Sequence, residues 1–213
     1  MNCGVNPVKS FSYNGLTIGL VEQVYDPAED SFFLLEFLSK YGVKNLRVVE
    51  VGCGCGLLSL ECARLGADVV GIDCNPYAVE LSKLNALNNV GKLNGSFEVI
   101  QGDCLDALGN SKVFDLVFCN PPYLPASGIL PADDWIGVAC EGGSDGLMLT
   151  RRLFVEAKKV VADDGRLVVI VSSLSPVSKC LSFARSCGWC CEVVSELVLG
   201  DGENLLLLSC SLL

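Results

Sequence analysis

The chain reads as an α/β protein with a doubly wound, seven-stranded sheet whose last strand returns antiparallel. Three observations predict this. Short apolar runs alternate with stretches of helical periodicity, as the β-α units of a mostly parallel sheet do. The first run of that series ends in a glycine-rich turn, Gly52-Cys53-Gly54-Cys55-Gly56. The last two apolar runs flank Gly200-Asp201-Gly202, a hairpin signal.

Taken in order, Asp26-Pro27-Ala28-Glu29 offers an N-cap, a first-turn proline and a glutamate at N3. A helical lead-in is therefore predicted from about 26 to 41, with Phe33, Leu34, Phe37, Leu38 and Tyr41 at helical spacing. Residues 46–51 form the first strand, and a helix over 57–65 stops at Gly66. A second strand at 69–72 leads through Asp73 to a helix over 78–87. Strands follow at 97–101 and 114–119. Beyond a glycine-rich stretch come a helix at 149–161, a strand at 166–172 and a helix at 177–187. Strands at 190–197 and 205–210 close the chain. No repeat or interdomain linker interrupts this pattern, so residues 1–213 are expected to form one domain with a core of its own.

Composition narrows the function. The net charge is −10 and there is no histidine, which excludes His-based acid–base chemistry and argues against a nucleic-acid footprint. Thirteen cysteines at scattered positions, with no signal peptide visible at Met1-Asn2-Cys3-Gly4, predict a reducing cytoplasm in which Cys serves as a small apolar residue. Cys187-Gly188-Trp189-Cys190 has C-x-x-C spacing, but no second pair or His completes a zinc site, so no metal is expected. Hydrophobic residues make up 51% of the chain and the mean hydropathy is +0.47. No apolar run reaches the roughly 18 residues of a membrane span. A sheet covered on both faces accounts for part of that excess, and a surface covered by a partner for the rest.

The strand ends carry the chemistry. Glycines at 52, 54 and 56 let backbone approach a ligand beside a helix N-terminus. Asp73 follows Gly52 by 21 residues, where a carboxylate can accept both ribose hydroxyls; capping the next helix is its plainer role. Asp103 stands after the third strand. The dinucleotide fingerprint spaces its glycines to seat a pyrophosphate. Glu50 beside this turn is instead poorly placed for pyrophosphate and suits an ammonium group, favouring a cationic sulfonium cofactor over NAD. After the fourth strand, Asn120-Pro121-Pro122-Tyr123 forms a stiff turn. It can present the Asn120 amide oxygen and nearby carbonyls to a planar –NH2 group, with an aromatic ring for its flat face.

These segments resemble HemK-type class I methyltransferases of protein glutamine. The resemblance rests on Glu50 to Gly56, Asp73-Cys74-Asn75-Pro76 and Asn120-Pro121-Pro122-Tyr123. The stretch Tyr25-Asp26-Pro27-Ala28-Glu29-Asp30-Ser31-Phe32 is similar to a narrower group, the catalytic subunits of the eukaryotic and archaeal release-factor glutamine methyltransferase. It runs from about residue 22 to the C-terminus. The resemblance implies a Rossmann-like class I methyltransferase fold with an antiparallel seventh strand, and S-adenosyl-L-methionine as cofactor. It implies a transferase acting on the glutamine of a Gly-Gly-Gln loop, a protein methylation in translation termination. Ser31, Glu50, Gly52, Gly54, Asp73, Asp103, Cys104 and Asn120 match the cofactor contacts, Asp103 towards the adenine amino group and the Cys104 backbone towards the ring. Asn120, the Pro121 carbonyl and Tyr123 match the substrate amide site. A heterodimer with a small zinc-binding activator is also implied, docked beside the third strand at a sheet edge. One departure is visible: the family often carries a Trp-Ala-Gly-Gly-like segment where Ala139-Cys140-Glu141-Gly142-Gly143 stands, with Trp135 upstream.

Two other functions fit the residues less well. An Asn-Pro-Pro-Tyr turn also serves methyltransferases of exocyclic amines in DNA or RNA, but duplex binding needs a basic surface, and the chain has only 15 Lys and Arg. A non-catalytic methyltransferase-like scaffold would have no use for Asn120 and three acidic contacts.

Overall fold

In a computed structural model, which describes residues 4–126, 134–200 and 202–213, the chain begins with a hairpin. Strands β1 (Lys9–Tyr13) and β2 (Leu16–Leu20) pair antiparallel around Asn14-Gly15, both with positive φ. An Asn-Gly pair between alternating residues is the strongest short-range hairpin signal. The lead-in expected from 26 was thus incomplete and starts too early. Helix α1 spans Glu29–Tyr41, with Ala28 as an extended N-cap that makes no side-chain cap bond. Asp26 is drawn instead to Lys9, and Asp30 takes the amide of Ser31 at 2.6 Å.

Then follow β3 (Arg47–Val51), α2 (Leu57–Arg64), β4 (Asp68–Asp73), α3 (Pro76–Asn89), β5 (Ser96–Gln101) and β6 (Phe114–Cys119). A short helix, α4 (Trp135–Cys140), was not foreseen. The expected helix at 149–161 is shorter, α5 (Met148–Glu156), and a 3-10 turn hands Val161 to the next strand. Strands β7 (Val161–Ser172), β8 (Trp189–Val198) and β9 (Asn204–Leu212), with α6 (Val177–Ser186), complete the chain. Of the Gly200-Asp201-Gly202 turn, Asp201 lies outside the described residues.

The seven-stranded sheet has the order β5-β4-β3-β6-β7-β9-β8. Its first five members run parallel and β9 is antiparallel to both neighbours, as the sequence predicts. The order reverses beside β3, so the crevice between the carboxyl ends of β3 and β6 is where such sheets bind ligands. Both faces are covered. One core joins Val48, Phe118 and Ile170 to Leu34, Leu60 and Leu81; the other joins Val49, Val117 and Val169 to Phe154 and Trp189. Central strands buried on both faces read as unbroken apolar runs, which is why the sequence revealed them.

The β1–β2 hairpin joins no larger sheet. It packs on α3, where Asn85 accepts from the Gly19 amide and donates to the Gly19 carbonyl, and Asn89 does the same for Thr17. The cysteine expectation fails at one pair: Cys191 and Cys210 face each other on β8 and β9 and are joined as a disulfide. Ten other described cysteines are free thiols, six of them buried in the role expected. No helix among the described residues is long and apolar enough to cross a membrane.

Candidate active site

A cavity of about 660 Å³ opens at the crevice beside β3 and β6. It is lined by Ser31, Glu50, Gly52, Gly54, Asp73, Asp103 and Asn120 among the predicted cofactor residues, and by Pro121 and Tyr123. Cys104 is the exception: its side chain is buried below the wall and its backbone takes a positive φ of 56°. Aromatic Trp135, beside the departing segment, also reaches the cavity.

The glycine turn is fastened from behind. Gly52 donates to the Ile72 carbonyl at 2.7 Å, while Ser82 Oγ and Asn85 Nδ2 hold the carbonyls of Gly54 and Cys55 at 2.8 and 2.9 Å. Asp73 accepts from the amides of Gly54 at 2.8 Å and Asn75 at 2.9 Å, one on each oxygen. A carboxylate oxygen has a second lone pair, so both remain able to accept from a diol. Asp73 does not cap α3; Asn75 does, accepting from Tyr77, with Pro76 in the first turn. Burial pushes the Asp73 carboxyl up, against its backbone hydrogen bonds.

Glu50 is 2% exposed, and one of its oxygens accepts from the amide and hydroxyl of Ser59. Burial pushes its carboxyl up to about 8, with Ser59 opposing and Asp73 reinforcing. Asp103 is exposed and forms an ion pair with Arg152 at 2.6 Å. Arg152 also binds the Asp103 carbonyl, Asp106 and Glu156, so its charge is consumed by three carboxylates. Sequence reasoning missed Arg152, which sits on α5 with nothing local to distinguish it.

At the other end the turn after β6 is built around a carboxylate that the sequence reading passed over. Asp30, 5% exposed, accepts from Asn120 Nδ2 at 3.0 Å, Tyr123 Oη at 3.2 Å and Tyr25 Oη at 3.3 Å through one oxygen. Burial and then the Asp30 charge push both tyrosine hydroxyls well up, so both stay protonated and donate. With its nitrogen committed to Asp30, Asn120 leaves Oδ1 buried and without a hydrogen-bond partner among the described residues. A buried acceptor in that condition costs about 1–3 kcal/mol until something donates to it.

The segment that departs from the family pattern straps this turn in place. Leu124 and Ala126 donate to the carbonyls of Cys140 and Gly143 at 3.1 and 2.8 Å, and Gly142 donates to Leu124 at 2.8 Å. A Cβ on Gly142 would collide with the Pro122 carbonyl, and one on Gly146 with that of Tyr123. Glycine at both positions permits these close backbone approaches. Among the described residues, no group of three or more His, Cys, Asp or Glu is placed to hold a metal ion.

Residues 24–129 match the family model described as "Methyltransferase small domain". A Methanocaldococcus jannaschii relative, provisionally named a protein N5-glutamine methyltransferase, is 38% identical over 185 residues, 86% of this chain and 89% of that one. The chain belongs to the protein N5-glutamine methyltransferase family. A second member, named the eRF1 methyltransferase catalytic subunit mtq2 of Schizosaccharomyces pombe, is 34% identical over 68% of this chain and 70% of its own length. Among solved structures, the E. cuniculi Mtq2–Trm112 complex, described as responsible for methylation of the eRF1 translation termination factor, superposes with a TM-score of 0.70. That match covers 90% of this chain and 99% of the other at 21% identity, and so speaks to the fold. The fold is that of the class I methyltransferases, and the chain belongs to a family of enzymes.

Proposed function

We propose that this protein N5-glutamine methyltransferase transfers a methyl group from S-adenosyl-L-methionine to the side-chain amide of the glutamine in the Gly-Gly-Gln loop of a class 1 release factor. The observation that carries the reading is the unpartnered Asn120 Oδ1, a buried acceptor on a residue that lines the cavity, suited to an N–H donor. The cofactor fits the donor set. Glu50, Asp73 and Asp103 suit an ammonium, a ribose diol and an adenine amine. The one basic residue lining the cavity among the described residues, Arg152, is already neutralised, which disfavours a pyrophosphate.

When bound, the cofactor supplies an electrophilic methyl on a sulfonium. The chain's own residues do the rest. A glutamine amide nitrogen is a poor nucleophile, its lone pair delocalised into the carbonyl. Asn120 Oδ1 and the Pro121 carbonyl accept its two N–H bonds and hold the nitrogen in line. Those hydrogen bonds strengthen as the protons become more acidic during attack, which stabilises the transition state above the ground state. Tyr123 supports the planar group, and no strong base is needed before attack, because the N-methylated amide nitrogen loses its proton readily afterward.

Transfer of labelled methyl to the release factor tests this reading. Labelling should vanish when the target glutamine is replaced by asparagine, one methylene shorter. Labelling of DNA or RNA instead would favour the exocyclic-amine reading, and binding without transfer the scaffold. Against the nucleic-acid reading stands the acidic balance of the chain, −10.

Glu50 makes the cofactor site sensitive to pH. Its folded pKa lies above the usual carboxylate value, so the protonated form is favoured in the free protein and the charge is gained as pH rises towards about 8. Stability from this group is complete below the ordinary carboxylate pKa and is lost as pH climbs through about 8. A cofactor ammonium needs the charged form. Cofactor Kd should therefore tighten between pH 6 and 8, by up to about tenfold per unit, and Glu50→Gln should flatten that slope in calorimetry.

The chain acts as one catalytic domain in the cytoplasm, in a heterodimer with a small zinc-binding activator. Strand β5 pairs only with β4 among the described residues, leaving an open edge with Val99 and Ile100 half-buried. Such an edge pairs readily with another chain. Val99→Lys should weaken the complex in co-purification and lower solubility without touching the cavity; an unchanged complex would remove β5 from the interface.

A further inference from the structure

We infer that Asp30 is a positioning residue that decides which end of the Asn120 carboxamide faces the substrate. The inference rests on the proposed amide site and deepens it. An asparagine side chain is nearly symmetric in shape but opposite in chemistry at its two ends. Asn120 can serve the reaction only with its oxygen towards the cavity, and something must hold it that way. Within the turn itself the prolines Pro121 and Pro122 have no N–H to offer that oxygen. The restraint comes from α1, 90 residues earlier in the chain, where Asp30 Oδ2 accepts from Asn120 Nδ2 at 3.0 Å.

Asp30 is itself fixed. Its Oδ1 accepts from the Ser31 amide at 2.6 Å and from Ser31 Oγ at 3.2 Å, so this oxygen must remain an acceptor. Its Oδ2 gathers Asn120, Tyr123 and Tyr25. A carboxylate accepts at both oxygens and donates at neither. Turning the Asn120 amide over would set its oxygen against Asp30 Oδ2 and leave its NH2 in the cavity facing the N–H bonds of the substrate. The same carboxylate aligns two tyrosine hydroxyls along the cavity wall and, through Ser31, ties the turn to the cofactor end. The amide site is thus a set of three donors organised about one buried acceptor, and the free Asn120 Oδ1 is its product.

An exchange of the two side chains tests this. In Asp30→Asn, the Ser31 amide keeps the oxygen of the new carboxamide, whose NH2 then faces Asn120. Asn120 must answer by turning its own oxygen inward and presenting NH2 to the cavity. Turnover on a Gly-Gly-Gln peptide should fall by about 10²-fold, with kcat affected and S-adenosyl-L-homocysteine affinity retained. In Asn120→Asp, two carboxylates meet, and turnover should fall further. In the double exchange, the carboxamide now on α1 donates to one oxygen of the carboxylate now in the turn, and the other oxygen faces the cavity as an acceptor. Turnover should recover by at least about tenfold over Asn120→Asp. The full-length chain is assayed with its activator, and each variant is checked by thermal melting and calorimetry with S-adenosyl-L-homocysteine. Wild-type turnover in Asp30→Asn overturns the inference, as does a folded double variant no more active than Asn120→Asp. A folded, cofactor-binding unsubstituted chain that transfers no methyl to the peptide or the release factor would instead overturn the proposed function.

Discussion

Asn120→Ala is expected to cut methyl transfer to a Gly-Gly-Gln peptide by about 10²–10³-fold, the usual loss when a transition-state hydrogen-bond partner is removed. Melting temperature should change little. The wild-type side chain buries an oxygen with no partner, so deleting it relieves a desolvation cost of about 1–3 kcal/mol, which offsets the loss of its hydrogen bond to Asp30, while Asp30 keeps the Ser31 amide and both tyrosine hydroxyls. The loss should fall on kcat, with S-adenosyl-L-homocysteine affinity close to that of the unchanged chain, because the glycine turn is held by Asp73, Ser82 and Asn85 rather than by Asn120. A stable variant with near-normal turnover would make the turn after β6 structural and end the proposed mechanism.

Asp73→Ala should produce the largest loss of cofactor affinity. Two charge-assisted hydrogen bonds to a ribose are at stake, each about 1.5–3 kcal/mol before water compensates. The same carboxylate holds the amides of Gly54 and Asn75, so its removal also loosens the turn that approaches the ligand. Calorimetry should show Kd weakened by at least about 10²-fold, equivalent to about 2.7 kcal/mol. Unchanged affinity would sink the assignment of this end of the cavity to the nucleoside.

The two ends of the cavity were unequally legible in the sequence. Strands β3, β4 and β6 read as apolar runs, and Glu50, the glycines, Asp73 and Asn120 lie where those runs stop. Whatever depends on contacts between distant residues was hidden. Asp30 looked like one acidic residue in a helix's first turn; its meaning comes from Asn120. Arg152 gains its role only when α5 packs beside the loop after β5. Two errors had local causes. Asp26-Pro27 mimics a helix start, yet Asp26 is drawn to Lys9 and the helix begins at Glu29. The Asn14-Gly15 hairpin was readable from its turn residues and flanking alternation, and was overlooked because the stretch is short and separate from the β-α series. The Cys191–Cys210 pairing needed the register of β8 against β9, which composition does not supply.

The grip of α3 on the hairpin bears on the order in which the chain assembles. Asn85 and Asn89 meet Gly19 and Thr17 across 66 and 72 residues of sequence. Contacts at that separation bear a large closure entropy and form only when the intervening β-α units are already in place. The hairpin is therefore expected to dock after those units, and Leu16 and Ile18, fully buried in the same core as Leu34, Leu60 and Leu81, then bind it to them. Its amides at Thr17 and Gly19 should exchange with solvent ahead of those in β3 and β6. Because the Asn85 carboxamide that bonds Gly19 also holds the Cys55 carbonyl, seating the hairpin fixes the orientation of a side chain that fastens the glycine turn, and the tail end of folding is expected to be the step that readies the ligand site.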